Sequence, residues 1–404
     1  MPSSLTPVLA VATSGLGSRF APVTDGERSS LLQALTAVPD PRDPRGVRYQ
    51  LAGLLAAAVC ATLAGAQTFA AISDWLHDLD DAARARLGFT AGIPASTTVW
   101  RLLTRLDADL LAQVLARWLH QRAQPLVPRW PRARRIVIAV DGKTLRGARR
   151  PDGGQMHLLS ALDTSTGIVL AQVTVEAKSN EIPAFTPLLD AVQTVLGSLT
   201  GIVFIADALH TQTAHARQIA ERGGHLMIPV KGNQPTLHAQ LKSLPWARIP
   251  AGHRRREAGH GRRETRTLKA VTLATPGGLP FPHAQQAIRI TRTRTTPAKT
   301  SRETAYMTVS LPAADAQPAE LQDWARRHWH IENRVHHVRD VTFREDLHQA
   351  RTGTGPAVIA TLRNTSIGYH RINGDTNIAR ATRRANRRPH ELIEAVTSRN
   401  PTTQ

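Results

Sequence analysis

The chain is poor in cysteine, in lysine, in acidic residues and in long apolar runs, and each shortage excludes something. A single cysteine, Cys60, rules out an internal disulfide framework and any zinc site built on cysteine ligands, and it fits a reducing cytosol. The longest apolar run, residues 51–66, is alanine-rich, contains Thr62 and falls short of the roughly 18–20 residues that span a bilayer. A buried helix is therefore expected there, and no membrane partner. The first residues, MPSSLTPVLAVATSGLGSRF, have no basic region ahead of their weak apolar stretch and make a poor signal peptide, so a cytoplasmic protein is expected. No internal repeat is visible. With 41% hydrophobic and 20% charged residues over 404 positions, the chain can build real cores, about two to three domains by length. Collagen, coiled-coil rod and wholly disordered readings are excluded.

What is abundant is arginine. Lys and Arg total 51, of which six are lysine, against 31 Asp and Glu, for a formal charge of +20. Such an excess repels itself unless a polyanion balances it, and nucleic acid is the first candidate. Arginine- and alanine-rich usage can also reflect a GC-rich genome, so charge by itself leaves both explanations open.

Along the chain, residues 1–26 read as a flexible N-terminus dotted with Ser, Pro and Gly. Residues 27–124 read as an all-helical module: SSLLQALTAV, the apolar run from Leu51, FAAISDWLHDL, a helix capped by Ser96 or Thr97, and LLAQVLARWLHQRA. The segment QPLVPRWPRARR, rich in Pro and Arg, reads as a linker. The texture then changes. RRIVIAVDGKTLRGA is a strand ending in a polar loop, and ARRPDGGQM carries turn chemistry at Asp152, Gly153 and Gly154. MHLLSALD and GIVLAQVTV are strands joined by the DTSTG hairpin, and helix, strand, helix and strand come next. Three hairpin-linked strands and then alternating helices and strands specify one mixed α/β sheet. Residues 245–310 carry arginine-rich alternating tracts, an expected inserted β-ribbon or small sheet. From Ala319 onward ELQDWARRHWHIENRVHHVRDVTF reads as a long helix, PAVIATLRNTSIGYHRI as another, and residues 373–404 as a basic tail, helical near its end.

Chemistry is sought among the acids. Asp141 ends the β-branched run IVIAV and Asp207 ends IVFIA, so each is expected at a strand end, where ligands gather in α/β folds. A turn Asp and a helix N-cap are the ordinary alternatives. If the two strands are neighbours, the carboxylates converge and repel unless a cation lies between them. Oxygen ligands of that kind suit magnesium or manganese. In the later helix Leu321, Trp324, Ile331, Val335 and Val338 form an apolar stripe with Glu332 at its edge, and His328, Glu332, His336 and Arg339 share one face. Glu332 is the preferred third acid; Glu345 falls roughly opposite on a continuous helix, and Asp340 is a weaker rival. Three carboxylates so placed suit two-metal phosphoryl transfer. The histidines at 328, 330, 336 and 337 resemble a metal cluster, but zinc is disfavoured without cysteine.

These segments, VIAVDGKTLRGA, FIADALHTQ with KGNQ downstream, and HWHIEN with DVTFRED, resemble the DDE-class transposases of bacterial insertion sequences. The nearest branch is the ISAs-type group that includes the H-repeat-associated proteins. The likeness runs from about Glu27 to about Asn386, and PDPRDPRGVRYQLAGLLAAAV resembles that family's DDE-associated domain. It implies an RNase H-like catalytic domain over residues 134–372, with a β-rich insertion before the last catalytic helix and the acidic triad carried onto Asp141, Asp207 and Glu332. The wider class places Tyr, Arg and Lys seven before, four before and seven after the Glu; Ala325, His328 and Arg339 stand there, and His337 stands where many relatives have Trp.

The implied activity is DNA cleavage at element ends and joining of 3′-hydroxyls to target DNA with Mg2+ or Mn2+. The implied partners are terminal inverted repeats, target DNA and a second copy of the chain, in a nucleoid-associated setting. Lys143, Lys231, His328, Asn333, Arg339, Arg262 and Arg263 are the expected DNA contacts. A plain RNase H-fold nuclease and an immobile, element-derived DNA-binding protein are the alternatives.

Overall fold

The computed structural model describes residues 30–123, 135–149, 153–176, 179–259, 261–273 and 278–398. The expected flexible segment 1–26, nearly all of the Pro/Arg linker and the turn residue Asp152 lie outside these. Among the described residues no helix is long and apolar enough to cross a membrane.

The N-terminal part is helical: α1 (Leu31–Leu35), α2 (Leu51–Leu63), α3 (Phe69–Asp78), α4 (Asp81–Arg86), α5 (Ser96–Leu103) and α6 (Ala108–Ala123). Polar side chains satisfy the first amides of four of them: Ser30 accepts from Gln33 N–H, Thr68 from Ala71 N–H, Asp80 from Ala83 N–H, and Asp107 from Asp109 and Leu110 N–H. α5 differs from expectation. It starts at Ser96 itself, behind Ala95, which offers no side-chain cap. α2 is buried without a break from Gly53 to Leu63 because it is apolar all round, and it packs between α1, α3 and α13 (Gly355–Ile372).

The sheet has nine strands in the order β3-β2-β1-β4-β5-β9-β8-β7-β6. β1 (Val137–Arg149), β2 (Gln155–Asp163) and β3 (Val169–Val175) are antiparallel hairpin neighbours; β4 (Val203–Ile205) and β5 (His225–Val230) add in parallel beyond β1. α7 (Glu181–Leu196) connects β3 to β4, α8 (Thr213–Glu221) connects β4 to β5, and α9 (Pro235–Ser243) comes after β5. This mixed sheet with its crossover helices is the RNase H-like core that the resemblance implied.

The basic segment does not fold apart. β6 (His253–Gly259), β7 (Arg262–Thr272), β8 (Gln286–Thr295) and β9 (Thr300–Val309) join β5 edge to edge through β9 and prolong the same sheet. The unpaired edge of β5 is thereby covered by chain rather than left to solvent.

Each face of the sheet has its own cover. Val137, Ala139, Val203, Ile205 and Met227 on one face pack with Leu321, Trp324, Ile331 and Val335. Ile138, Val140, Phe204, Leu226 and Ile228 on the other face pack with Phe185, Leu188 and Val192 of α7, in a core that also takes in α2, α6 and α13. The basic segment after α13 is helical and packed as far as it is described. α14 (Ile378–Asn386) and α15 (Pro389–Thr397) bury Ile378, Leu392, Ile393 and Val396, and α15 closes on α1, α2 and α4.

The expected long helix is present but not uniform. α10 (Pro318–Arg327) passes through His328 into α11 (Trp329–Ile331), a π turn (Glu332–His336) and α12 (His337–Thr342). The π turn adds a residue to one turn and so rotates α12 relative to α11. Leu321, Trp324, Ile331 and Val335 therefore face the sheet as the stripe predicts, whereas Val338 packs instead with Phe343, Ile367 and Ile378.

Candidate active site

Asp141 is not at a strand end. β1 runs eight residues past it, because β2 continues to pair with it opposite Asp141, Lys143 and Thr144. What ends near Asp141 is the neighbour. β1 and β4 pair only as far as Ala139 and Ile205, and carrying that register two residues on brings Asp207 level with Asp141 on the same face. Asp207 sits where β4 gives way to a 3-10 turn (Ala208–His210); its carboxylate also accepts from Leu209 N–H at 2.9 Å, so the N-cap role is real as well. The face that carries both acids is the one covered by α10 and the π turn, which brings in Glu332.

Asp141, Asp207 and Glu332 line one cavity of about 710 Å³, with Lys231, His328, Trp329, Arg266, Arg292 and Arg326 among its walls. Two of these acids, Asp141 and Glu332, form a tight group with His336 whose ligand atoms all lie within 4.8 Å of one another. His336 Nδ1 is 3.2 Å from Glu332 Oε2 and 3.6 Å from Asp141 Oδ2. Asp207 shares the cavity and stands outside that group. His336, which the sequence pattern puts on the Glu332 face without a catalytic role, is the addition: it is 2% exposed and lies between two of the acids.

Electrostatics separate the acids. Burial, with Glu181 and Glu332 nearby, holds the Asp141 carboxyl up at about 6, against the opposing pull of His336 and the Gly142 N–H. The hydrogen bond from His336 draws Glu332 below its ordinary value. For Asp141 the raised value means that stability is present below 3.8, the value in the unfolded chain, and is lost as pH rises through about 6. The cost is on the order of 2–3 kcal/mol in metal-free protein. Metal-free Asp141→Asn, which cannot ionise, is expected to melt above wild type at pH 8 and level with it at pH 4. The reverse order at pH 8 in a thermal melt contradicts the burial argument.

The expected DNA contacts divide. Lys231 is exposed beyond β5, and His328 lines the cavity with its Nε2 lacking a hydrogen-bond partner among the described residues. Asn333 and Arg262 line a second groove with Arg255, Arg266, Arg292, Arg326 and Trp329, and Arg266, Arg292, Arg326 and Trp329 also line the acid cavity. The two spaces are thus contiguous. Arg263 is exposed on β7 and lines neither. Several of these arginines are already paired: Arg266 with Glu264 and Glu257, Arg292 with Glu264 and Glu303, Arg326 with Glu257.

Two of the expected contacts are corrected. Arg339 is wholly buried, and its guanidinium bonds Glu345 at 2.8 Å, Gln172 and Asn364, so it has no face to offer a phosphate. Lys143 is 9% exposed and donates to Asp340 Oδ2 at 2.7 Å, which also occupies the weaker rival acid. Glu345 is removed from candidacy by the same ion pairs: it lies past the end of α12, buried between Arg339 and Arg363.

Behind Asp141 lies a polar cluster that the sequence did not advertise. Glu181 Oε1 accepts from His157 Nε2 at 2.7 Å and its Oε2 accepts from His210 Nε2 at 3.1 Å; His157 Nδ1 meets Thr144 Oγ1 at 2.9 Å. Glu181 is held down at about 2, the hydrogen bonds from both histidines outweighing its burial.

A family model described as a transposase DDE domain matches residues 132–366, more than half of the chain. The chain belongs to that family. A companion model, DDE_Tnp_1-associated, matches residues 32–119, the span of α1–α6. Among its relatives are "Putative transposase YncI" of Escherichia coli O157:H7, 28% identical over 85% of this chain and 87% of that protein, and "H repeat-associated putative transposase YhhI" of Escherichia coli K12, 26% identical over 84% and 90%. A solved structure of a piggyBac transposase synaptic complex with hairpin DNA aligns with a TM-score of 0.38 at 10% identity, over 94% of this chain and 83% of that one, a likeness too loose to superpose the two sites. The match to the family stretches from β1 through most of α13, so the segments that carry Asp141, Asp207 and Glu332 all fall inside it.

Proposed function

We propose that this transposase cuts the ends of its insertion sequence and joins the freed 3′-hydroxyls to target DNA, with Asp141, Asp207 and Glu332 as the catalytic carboxylates. The observation that carries this reading is that the acid cavity adjoins the arginine groove, the two sharing Arg266, Arg292, Arg326 and Trp329. One space gathers the carboxylates, and the other offers guanidinium groups where a phosphate backbone would run.

The donor set fits divalent magnesium or manganese. The carboxylates are hard oxygen ligands, burial and repulsion already raise Asp141, and a cation between them relieves both penalties. Asp141 and Asp207 would hold the ion or ions between them, Glu332 would complete the set, and His336 Nδ1 lies within reach of Glu332 and Asp141. When bound, such ions activate the attacking water or 3′-hydroxyl and stabilise the leaving oxygen. The protein's share is positional. The sheet fixes Asp141, the capped turn fixes Asp207, and the π turn aims Glu332 across the cleft. Arg262, Arg266, Arg292 and Arg326 set the path of the DNA, and a second copy of the chain would bring the other element end.

Strand transfer distinguishes this reading from a plain nuclease. Purified protein given a pre-cut element end with a free 3′-hydroxyl, target DNA and magnesium is expected to yield joined product. Cleaved but never joined DNA favours the nuclease, and binding without any magnesium-dependent product favours the immobile DNA-binding protein.

A further inference from the structure

The backbone does not by itself hold Asp207 beside Asp141. The β1–β4 ladder stops at Ala139 and Ile205, two residues short of both acids. Across the gap the connection runs through side chains on the opposite side of β1. Glu181, the first residue of α7, receives one histidine from each side of it. His157, on β2, is tied to β1 through Thr144, three residues beyond Asp141. His210 ends the 3-10 turn that Asp207 caps, and it is 1% exposed. The tautomers are self-consistent: each Nε2–H donates to the carboxylate, and His157 Nδ1 accepts from the Thr144 hydroxyl.

Gly142 shows how closely this brace presses on the catalytic strand. A Cβ at Gly142 would lie 2.0 Å from Glu181 Oε1 and 2.5 Å from His157 Nε2. The residue after Asp141 therefore has to be glycine for the carboxylate to lie against the β1 backbone. The helix dipole at the start of α7 favours the anion there as well.

We propose that Glu181, held by His157 and His210 against Gly142, is a positioning residue that sets the spacing of the Asp141 and Asp207 carboxylates and thereby the divalent-metal affinity of the site. This inference rests on the catalytic reading above. Its test is Mn2+ binding to the metal-free full-length protein, monitored by the electron paramagnetic resonance signal of free Mn2+, for wild type, Gly142→Ala, Glu181→Gln and His157→Gln, with thermal melts of each beside it.

Wild type is expected to bind Mn2+. Gly142→Ala keeps every carboxylate yet displaces the brace, and it is expected to bind at least tenfold more weakly; Glu181→Gln should lose as much, and His157→Gln, which leaves the His210 bond, a few-fold. Agreement between Gly142→Ala and Glu181→Gln marks positioning, because only the second removes a carboxylate. Affinities within twofold of wild type in the variants that fold overturn the proposal, and weakening confined to Glu181→Gln would make Glu181 a ligand instead of a brace. Wild type that binds no Mn2+ while melting normally overturns the catalytic reading itself.

Discussion

Glu345→Ala is expected to destabilise the protein by about 3–5 kcal/mol, the cost of leaving a buried charge without its partner. Glu345 lies between two arginines whose only ion pairs among the described residues are with it, Asp340 adding a weaker pull on Arg363. Arg339 Nε donates to it at 2.8 Å and Arg363 Nη1 at 2.9 Å, and the side chains of all three are at most 2% exposed. Burial raises the Glu345 carboxyl and the two guanidiniums more than offset that, so it stays ionised below its ordinary value. Arg339 also reaches Gln172 on β3 and Asn364 on α13, and Arg363 reaches the Gln67 carbonyl ahead of α3. Removing the carboxylate thus loosens the end of α12, α13, β3 and the helical module at once. Against a total stability of about 5–15 kcal/mol, the variant should unfold at a clearly lower urea concentration or fail to accumulate. Glu391→Ala, which breaks the exposed pair with Arg388, should change stability by less than about 0.5 kcal/mol. Equal denaturation midpoints for Glu345→Ala and wild type would contradict the role assigned to this triad.

Alanine at Asp141, Asp207 or Glu332 is expected to lower DNA cleavage about a thousandfold or more, the rate equivalent of losing several kcal/mol of transition-state charge stabilisation. DNA binding at low salt should hold within a few-fold, because the arginine groove is untouched. The comparison among the three variants is informative in itself. Glu332 is the more exposed of the two acids that His336 joins, at 52% against 28% for Asp141, so Glu332→Ala should fold and melt like wild type. Full cleavage by folded Glu332→Ala would remove it from the triad and return attention to His336.

Much of this architecture is legible in the sequence, for reasons tied to particular residues. The runs IVIAV and IVFIA are β-branched and end in acids; their adjacency stays a condition in the sequence, and the parallel pairing of β1 with β4 meets it. The stripe Leu321, Trp324, Ile331 and Val335 marks the helix and its buried face, and with it the side from which Glu332 approaches. What escaped was non-local. Gly142, Lys143 and Thr144 look like a loop, but the pairing of β2 makes them strand. The arginine tracts look like an independent ribbon because their alternation is polar, and only the free edge of β5 explains why they join the main sheet.

Arg339 and Glu345 look like surface charges, since nothing local announces that each will find its counter-charge in the core; sequence spacing also assumes a uniform helix, which the π turn breaks. Glu181, His157 and His210 lie on three separate elements and meet only in the folded chain. A local signal for the brace does exist. It is Gly142, a glycine inside a strand where the backbone has no positive φ to justify it, which marks a close approach by some other group.

The measurement that bears most directly on the central claim is cleavage of the element's own end DNA by purified protein, with and without magnesium, beside Asp207→Ala. Asp207 is the decisive position because it shares the cavity with Asp141 and Glu332 without belonging to the tight group that those two form with His336. The account predicts magnesium-dependent cuts at the element ends by wild type and none by the variant, with both proteins retarding the DNA equally. Magnesium-dependent cleavage that survives in Asp207→Ala would contradict a triad built on these three carboxylates.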